Sequence, residues 1–142
     1  TMTEKKSIGF ACGVFDLYHL GHALMFKECK ENCNYLVVAV NSASQIDYNI
    51  NPNKQAPLFS LKERIEVLES CKYIDELITY NNEEELTDLL MSGRFNIRFL
   101  GDDYEGKPIT APESSAQIHY VSRDHGWSTS RIKKELKSGP NS

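Results

Sequence analysis

Five short apolar runs, set apart by stretches of helical period, constrain this chain of 142 residues more than any other feature. The runs Ile8–Val14, Tyr35–Val40, Ile74–Tyr80, Ile97–Leu100 and Ile118–Val121 are brief and rich in β-branched and aromatic residues, and read as strands. The segments between them carry helix signals. Ser60-Leu61-Lys62-Glu63 is a capping box, and Leu61, Ile65 and Leu68 follow as one apolar face. Asn82 with Glu85 opens a further helix whose Leu86, Leu89 and Leu90 face inward before Gly93 stops it. A last helix is predicted from near Ser128 through Ile132 and Leu136, ending ahead of Gly139-Pro140. Strands that alternate with helices imply crossovers, hence a parallel sheet covered on both faces. The length suits a single core. The predicted domain spans residues 8–137, with a disordered or tag-derived stretch 1–7 before it and a short tail 138–142 after it.

The segment Gly13-Val14-Phe15-Asp16-Leu17-Tyr18-His19-Leu20-Gly21-His22 joins the first strand to an amphipathic helix expected from about Ala23. Two histidines three residues apart share one face of a helical turn. A helix N-terminus directs unpaired N–H groups and a positive dipole end at whatever occupies it. With two imidazole donors added, the place suits a phosphate chain, and Gly21 lets that chain come close to the backbone. A pair of metal ligands is the competing reading, but no third ligand at a recognisable spacing accompanies them.

The net charge of −4 leaves no basic footprint for nucleic acid. No apolar run is long enough to span a bilayer and the polar start is not a signal peptide, so the expected location is the cytoplasm. Cys12, Cys29, Cys33 and Cys71 form no C-x-x-C pair. Met25, Cys29 and Cys33 share a stripe at helical spacing, which predicts reduced, buried thiols rather than a metal or disulfide framework.

Several ordered motifs extend the His19/His22 signal. His19-Leu20-Gly21-His22 resembles the H-x-G-H signature of the cytidylyltransferase-like nucleotidyltransferase superfamily. Gly101-Asp102-Asp103-Tyr104-Glu105-Gly106-Lys107 is similar to the G-D-D-W-E-G-K segment of bacterial glycerol-3-phosphate cytidylyltransferases, with Tyr for Trp. Trp127-Ser128-Thr129-Ser130-Arg131-Ile132-Lys133 resembles the second signature, I-S-T-T-x-I-K. Tyr73-Ile74-Asp75-Glu76 matches a common Y-V-D-E stretch, and Arg64 stands in the expected context of Lys62-Glu63-Arg64. The resemblance runs from about Ile8 to Leu136.

It implies a Rossmann-like, doubly wound, five-stranded parallel sheet of order 3-2-1-4-5. Strands one and four then meet where the order reverses, the place at which open α/β sheets bind ligands. The implied reaction is transfer of CMP from CTP to a phosphorylated small alcohol, with pyrophosphate leaving. Such chemistry rests on positioning and on stabilising charge. His19, His22, Lys54 and Arg123 are the implied catalytic donors, and His19 and His22 hydrogen-bond phosphate oxygens without acting as nucleophiles. Gly13, Val14, Phe15, Asp16, Leu20, Gly21, Gly101, Asp102, Asp103, Trp127, Ser128, Thr129 and Ser130 are expected to bind the nucleotide. Mg²⁺ would arrive on the triphosphate with most of its waters and need no dedicated cage. Asp16 and Asp102 are candidates to touch it, Asp16 being equally a turn-former. A homodimer is expected from the same resemblance.

At the acceptor the chain departs from the family. Glycerol-3-phosphate enzymes place basic residues before the position of Lys54 and early in the helix after strand three. This chain has Gln45, Asp47 and Glu83-Glu84-Glu85 instead. Arg64 and Lys72 are expected to compensate at an anionic acceptor. The acceptor could otherwise be phosphoethanolamine, phosphocholine or another polyol phosphate, or the enzyme could be an adenylyltransferase for a sugar phosphate. A nucleotide sensor without catalysis would not retain both histidines and Lys54. A redox or metal module would need a second cysteine pair at ligand spacing.

Overall fold

The computed structural model describes residues 7–42 and 57–122. In chain order these form β1 (Ile8–Gly13), α1 (Leu20–Glu31), β2 (Tyr35–Asn41), α2 (Leu61–Glu69), β3 (Glu76–Tyr80), α3 (Glu83–Met91), β4 (Ile97–Gly101) and β5 (Gln117–Val121). The five strands make one parallel sheet of order β3-β2-β1-β4-β5. This is the expected doubly wound architecture. The expected helix beyond Ser128 lies outside the described residues.

Strand β2, paired between β1 and β3, is buried from Leu36 to Val40, as a strand covered on both faces must be. Its alternate side chains feed two cores. Leu36, Val38 and Val40 pack with Ala11, Phe99, Phe26 and Cys29 of α1 and Leu68 of α2. Val37 and Ala39 pack with Phe10, Tyr80, Phe95, and Leu86 and Leu90 of α3. Helices α1 and α2 therefore cover one face, while α3 covers the other. Gly9 belongs to the first core because a Cβ there would stand 2.5 Å from the Phe99 ring and 2.8 Å from Cys33 Sγ.

The helix starts follow the predicted chemistry. Ser60 Oγ accepts from Glu63 N at 3.2 Å, and Glu63 Oε1 returns to Ser60 N at 3.0 Å. Asn82 Oδ1 accepts from Glu85 N at 2.9 Å. Beyond α3, Gly93 takes φ +79°, a conformation glycine adopts without strain. Two boundaries move by more than one residue. Strand β3 begins at Glu76 rather than Ile74, and α1 begins at Leu20 rather than Ala23. Ser7 already bonds Asn34 through its backbone N–H at 2.6 Å, one residue ahead of the predicted domain start. Among the described residues, no helix is long and apolar enough to cross a membrane.

Of the four cysteines only Cys29 is buried, the others being partly exposed. Cys29 is fully buried in the α1 core, Cys33 Sγ donates to the Cys29 carbonyl at 3.2 Å, and all four cysteines are free. Burial raises the pKa of both thiols, which keeps them protonated and inert.

Candidate active site

A crevice of about 640 Å³ opens at the C-terminal ends of β1 and β4, adjacent strands from which the chain runs to opposite sides of the sheet. This is the switch point at which the fold leaves room between the first turns of its helices. On the α1 side its wall is Gly13, Val14, Phe15, His19, Gly21 and His22. Gly101 and Tyr104 contribute from the end of β4. All of these but Tyr104 are residues expected from sequence.

The histidines account for the early start of α1. His19 is the N-cap, in extended conformation, and its Nδ1 accepts from Gly21 N at 3.0 Å. His22 Nδ1 accepts from the His19 backbone N–H at 3.2 Å. The pair thus forms a reciprocal capping box in which imidazoles replace the usual hydroxyl and carboxylate. The rings stack with centroids 4.0 Å apart, and Tyr18 stacks on His22 at 5.7 Å. A ring nitrogen that accepts from an amide carries no hydrogen, so each neutral imidazole keeps its proton on Nε2. The cap therefore fixes the tautomer that makes both rings donors through Nε2.

The loop before the cap is strained and strongly braced. Phe15 and Leu17 have φ of 54° and 49°, a left-handed conformation that costs bulky residues about 1–3 kcal/mol each. The Phe15 ring packs on Phe26 at 5.3 Å and edge-on to His22 at 5.8 Å. Gly13 gives it room, since a Cβ there would lie 3.2 Å from the Phe15 ring. Asp16 is 5% exposed, and its two oxygens accept from Leu58 N at 2.8 Å and Phe59 N at 3.0 Å. It ties the loop to the start of α2, a long-range brace rather than a local turn, and it is absent from the crevice wall.

Arg64 completes the brace. It is 1% exposed and donates to the Phe59 carbonyl at 3.2 Å, the Val14 carbonyl at 3.0 Å and the Asn41 carbonyl at 2.7 Å. Burial lowers its pKa, and nearby Asp16 opposes that shift. The structure corrects the expectation that this guanidinium lies open to an acceptor: it clamps the ends of β1 and β2 to α2. Lys72 is corrected as well. It stands exposed in the turn leading into the N-terminal end of β3, its ammonium 5.2 Å from the Tyr73 ring centre, and takes no part in the crevice wall.

The Gly101–Lys107 segment forms a 3-10 turn at Asp102–Tyr104, followed by a reversal in which Lys107 N donates to the Tyr104 carbonyl at 2.9 Å. Glu105 at φ −60°, ψ 124° and Gly106 at φ +79° define a type II turn, which explains the glycine. Asp102 and Asp103 are exposed and Leu20 is 55% exposed; none of the three belongs to the wall. Lys54, Arg123, Trp127, Ser128, Thr129 and Ser130 lie outside the described residues.

The α3 side of the wall escaped the sequence reading. Cys12, Tyr80, Glu83, Leu86, Arg98 and Thr110 line it. Burial pushes the Cys12 thiol up to about 11 and raises the Tyr80 phenol, so both are neutral donors. Glu83 accepts from the Thr110 hydroxyl at 2.6 Å, and the Glu85 carboxylate returns to the side chain of Asn81 at 3.1 Å. Two members of the acidic run are thus engaged in local bonds at a helix start whose dipole favours them. An arginine in the middle of the apolar run Ile97-Arg98-Phe99-Leu100 was the available signal for this wall.

The model of the cytidylyltransferase-like family matches residues 10–135. Glycerol-3-phosphate cytidylyltransferase of Bacillus subtilis (strain 168) is 33% identical over 132 residues, covering 93% of this chain and 97% of that protein. Bifunctional protein HldE of Helicobacter pylori (strain HPAG1) is 30% identical over 94% of this chain, which spans 28% of that longer protein. The crystal structure of the lipopolysaccharide core biosynthesis protein from Thermoplasma volcanium GSS1 has TM-score 0.61 at 25% identity, over 82% of this chain and 94% of that one. The chain belongs to the cytidylyltransferase-like family and is a nucleotidyltransferase.

Proposed function

We propose that this enzyme transfers a cytidylyl group from CTP to the phosphate of a small phosphorylated alcohol, glycerol 3-phosphate foremost, giving CDP-glycerol and pyrophosphate. The observation that carries the reading is the His19/His22 capping box at the mouth of the switch-point crevice. It combines a helix N-terminus with two Nε2 donors, which is what a transferring phosphoryl group requires. The base and acceptor rest on the Gly101–Lys107 likeness and on the 33% identity to the Bacillus enzyme.

In the reaction an oxygen of the acceptor phosphate attacks the α-phosphorus of CTP in line. The bond from that phosphorus to the bridging oxygen breaks, and pyrophosphate leaves with its electron pair. No covalent enzyme intermediate is needed, because the work is orientation and charge stabilisation. His19 and His22 donate to the oxygens on which charge accumulates. Arg123, Lys54 and the hydroxyls of Ser128, Thr129 and Ser130 are assigned to the triphosphate. Mg²⁺ enters with the nucleotide as part of the substrate. The working unit is a homodimer, to be checked by sedimentation equilibrium.

Pyrophosphate release measured over four nucleoside triphosphates and a panel of phosphorylated acceptors tests the reading. CTP with glycerol 3-phosphate is expected to be fastest. Transfer to a sugar phosphate is the second reading, favoured by the 30% identity to HldE and by the lipopolysaccharide core neighbour. ATP preference with a sugar phosphate would select it.

A further inference from the structure

Arg98 occupies a position where an apolar side chain belongs. It lies in β4, in register with Phe10 of β1 and Ile118 of β5, and is only 5% exposed. Burying a guanidinium is costly unless its charge and its five donors are matched. One partner is present: Nη1 donates to the Ala111 carbonyl at 2.9 Å. Among the described residues no carboxylate pairs with it, the ion pairs being Lys30–Asp75, Arg94–Glu76 and His119–Glu28. Burial lowers its pKa, and its polar neighbours Cys12 and Tyr120 oppose that shift. Arg98 is part of the crevice wall. Among the described wall residues it is the only lysine or arginine. The start of α3, the other place on this wall for an anion, is filled by Glu83, Glu84 and Glu85.

We propose that Arg98 is the anion anchor of the acceptor half of the crevice, its guanidinium fork taking the phosphate of the phosphorylated alcohol. The division of labour follows from topology. Helix α1, with the histidines, stands on one face of the sheet, and α3, with Arg98 beneath it, stands on the other. The nucleotide phosphates go to the first wall and the acceptor to the second. This fork replaces the cation that the acidic start of α3 does not supply. The proposal rests on the nucleotidyl-transfer reading for the identity of the acceptor, but not for the existence of an anion site.

The test compares the full chain with R98M and R98K, after circular dichroism and a thermal melt establish folding. Calorimetric titration uses glycerol 3-phosphate and, separately, inorganic phosphate, both without nucleotide; steady-state kinetics follow. R98M is expected to weaken both anions about tenfold or more and to raise acceptor KM in step, with CTP KM within about twofold. R98K keeps the charge and loses the fork, so it should fall between. A folded R98M that binds both anions as wild type does overturns the proposal. So does an equal rise in acceptor and CTP KM, which would make Arg98 a brace for the Ala111 loop. Should R98M not fold, R98K decides: acceptor KM raised about threefold or more with CTP KM unchanged supports the anchor, and equal changes refute it. If wild type turns over no nucleotide yet loses phosphate binding in R98M, the reaction assignment fails and the anion site stands.

Discussion

His19 and His22 cap each other's helix turn: Nδ1 of the first takes the Gly21 amide at 3.0 Å, and Nδ1 of the second takes the His19 amide at 3.2 Å. One nitrogen of each ring thus builds the helix start, and Nε2 carries the proton of the neutral ring. The proposed reaction assigns structure and catalysis to different atoms of the same side chain, so substitutions can separate them.

Asparagine places an acceptor near the Nδ1 position, whereas glutamine places a donor near Nε2. H19N should therefore melt close to wild type while losing about two to three orders of magnitude in kcat. H19Q should retain more activity and lose about 1 kcal/mol of stability with the cap. Thermal melts and turnover measured on the same preparations check this. Equal losses in both quantities for both variants would remove the separation of roles.

Arg64 should behave as a structural clamp. R64M strips donors from three backbone carbonyls and is expected to cost about 3 kcal/mol, read from urea unfolding. R64K should raise acceptor and CTP KM together, because it loosens the loop that carries both histidines. A selective rise in acceptor KM at unchanged stability would return Arg64 to the acceptor site.

Gly13→Ala tests the strained loop. The added Cβ would press on the Phe15 ring, 3.2 Å away, and through it on His22. We expect a loss of about 1–2 kcal/mol of stability and about tenfold in kcat, with CTP KM changed less. Unaltered turnover would show that Phe15 does not position His22.

Metal dependence follows from the substrate. A chelator should abolish turnover and Mg²⁺ should restore it, since the ion accompanies the triphosphate. Purified protein should contain no stoichiometric Zn²⁺ when assayed by elemental analysis. Zinc held by Cys29 and Cys33 would contradict their placement as core thiols.

The sheet, its order and the switch-point crevice were legible because period and motif report burial and chain direction directly. Side-chain roles were less so. The α1 start was read three residues late, since histidine is not among the usual caps and its Nδ1 bonds depend on the loop backbone. Arg64 was read as an acceptor ligand from the resemblance of its Lys62-Glu63-Arg64 context, yet its spacing from Leu61 and Leu68, three and four residues, sets it on the buried face of α2. Arg98 was passed over inside an apolar strand, where the sequence shows a charge but not the open crevice beside it. Asp16 looked like a turn or metal residue because its partners, Leu58 and Phe59, lie about forty residues away.

The most direct test of the central claim is the identity of the product. The full chain, incubated with CTP, Mg²⁺ and glycerol 3-phosphate, should yield by ³¹P NMR and mass spectrometry one CDP-glycerol and one pyrophosphate for each CTP consumed. Formation of CMP alone, or of a nucleotide diphosphate ester only when ATP replaces CTP, would contradict it.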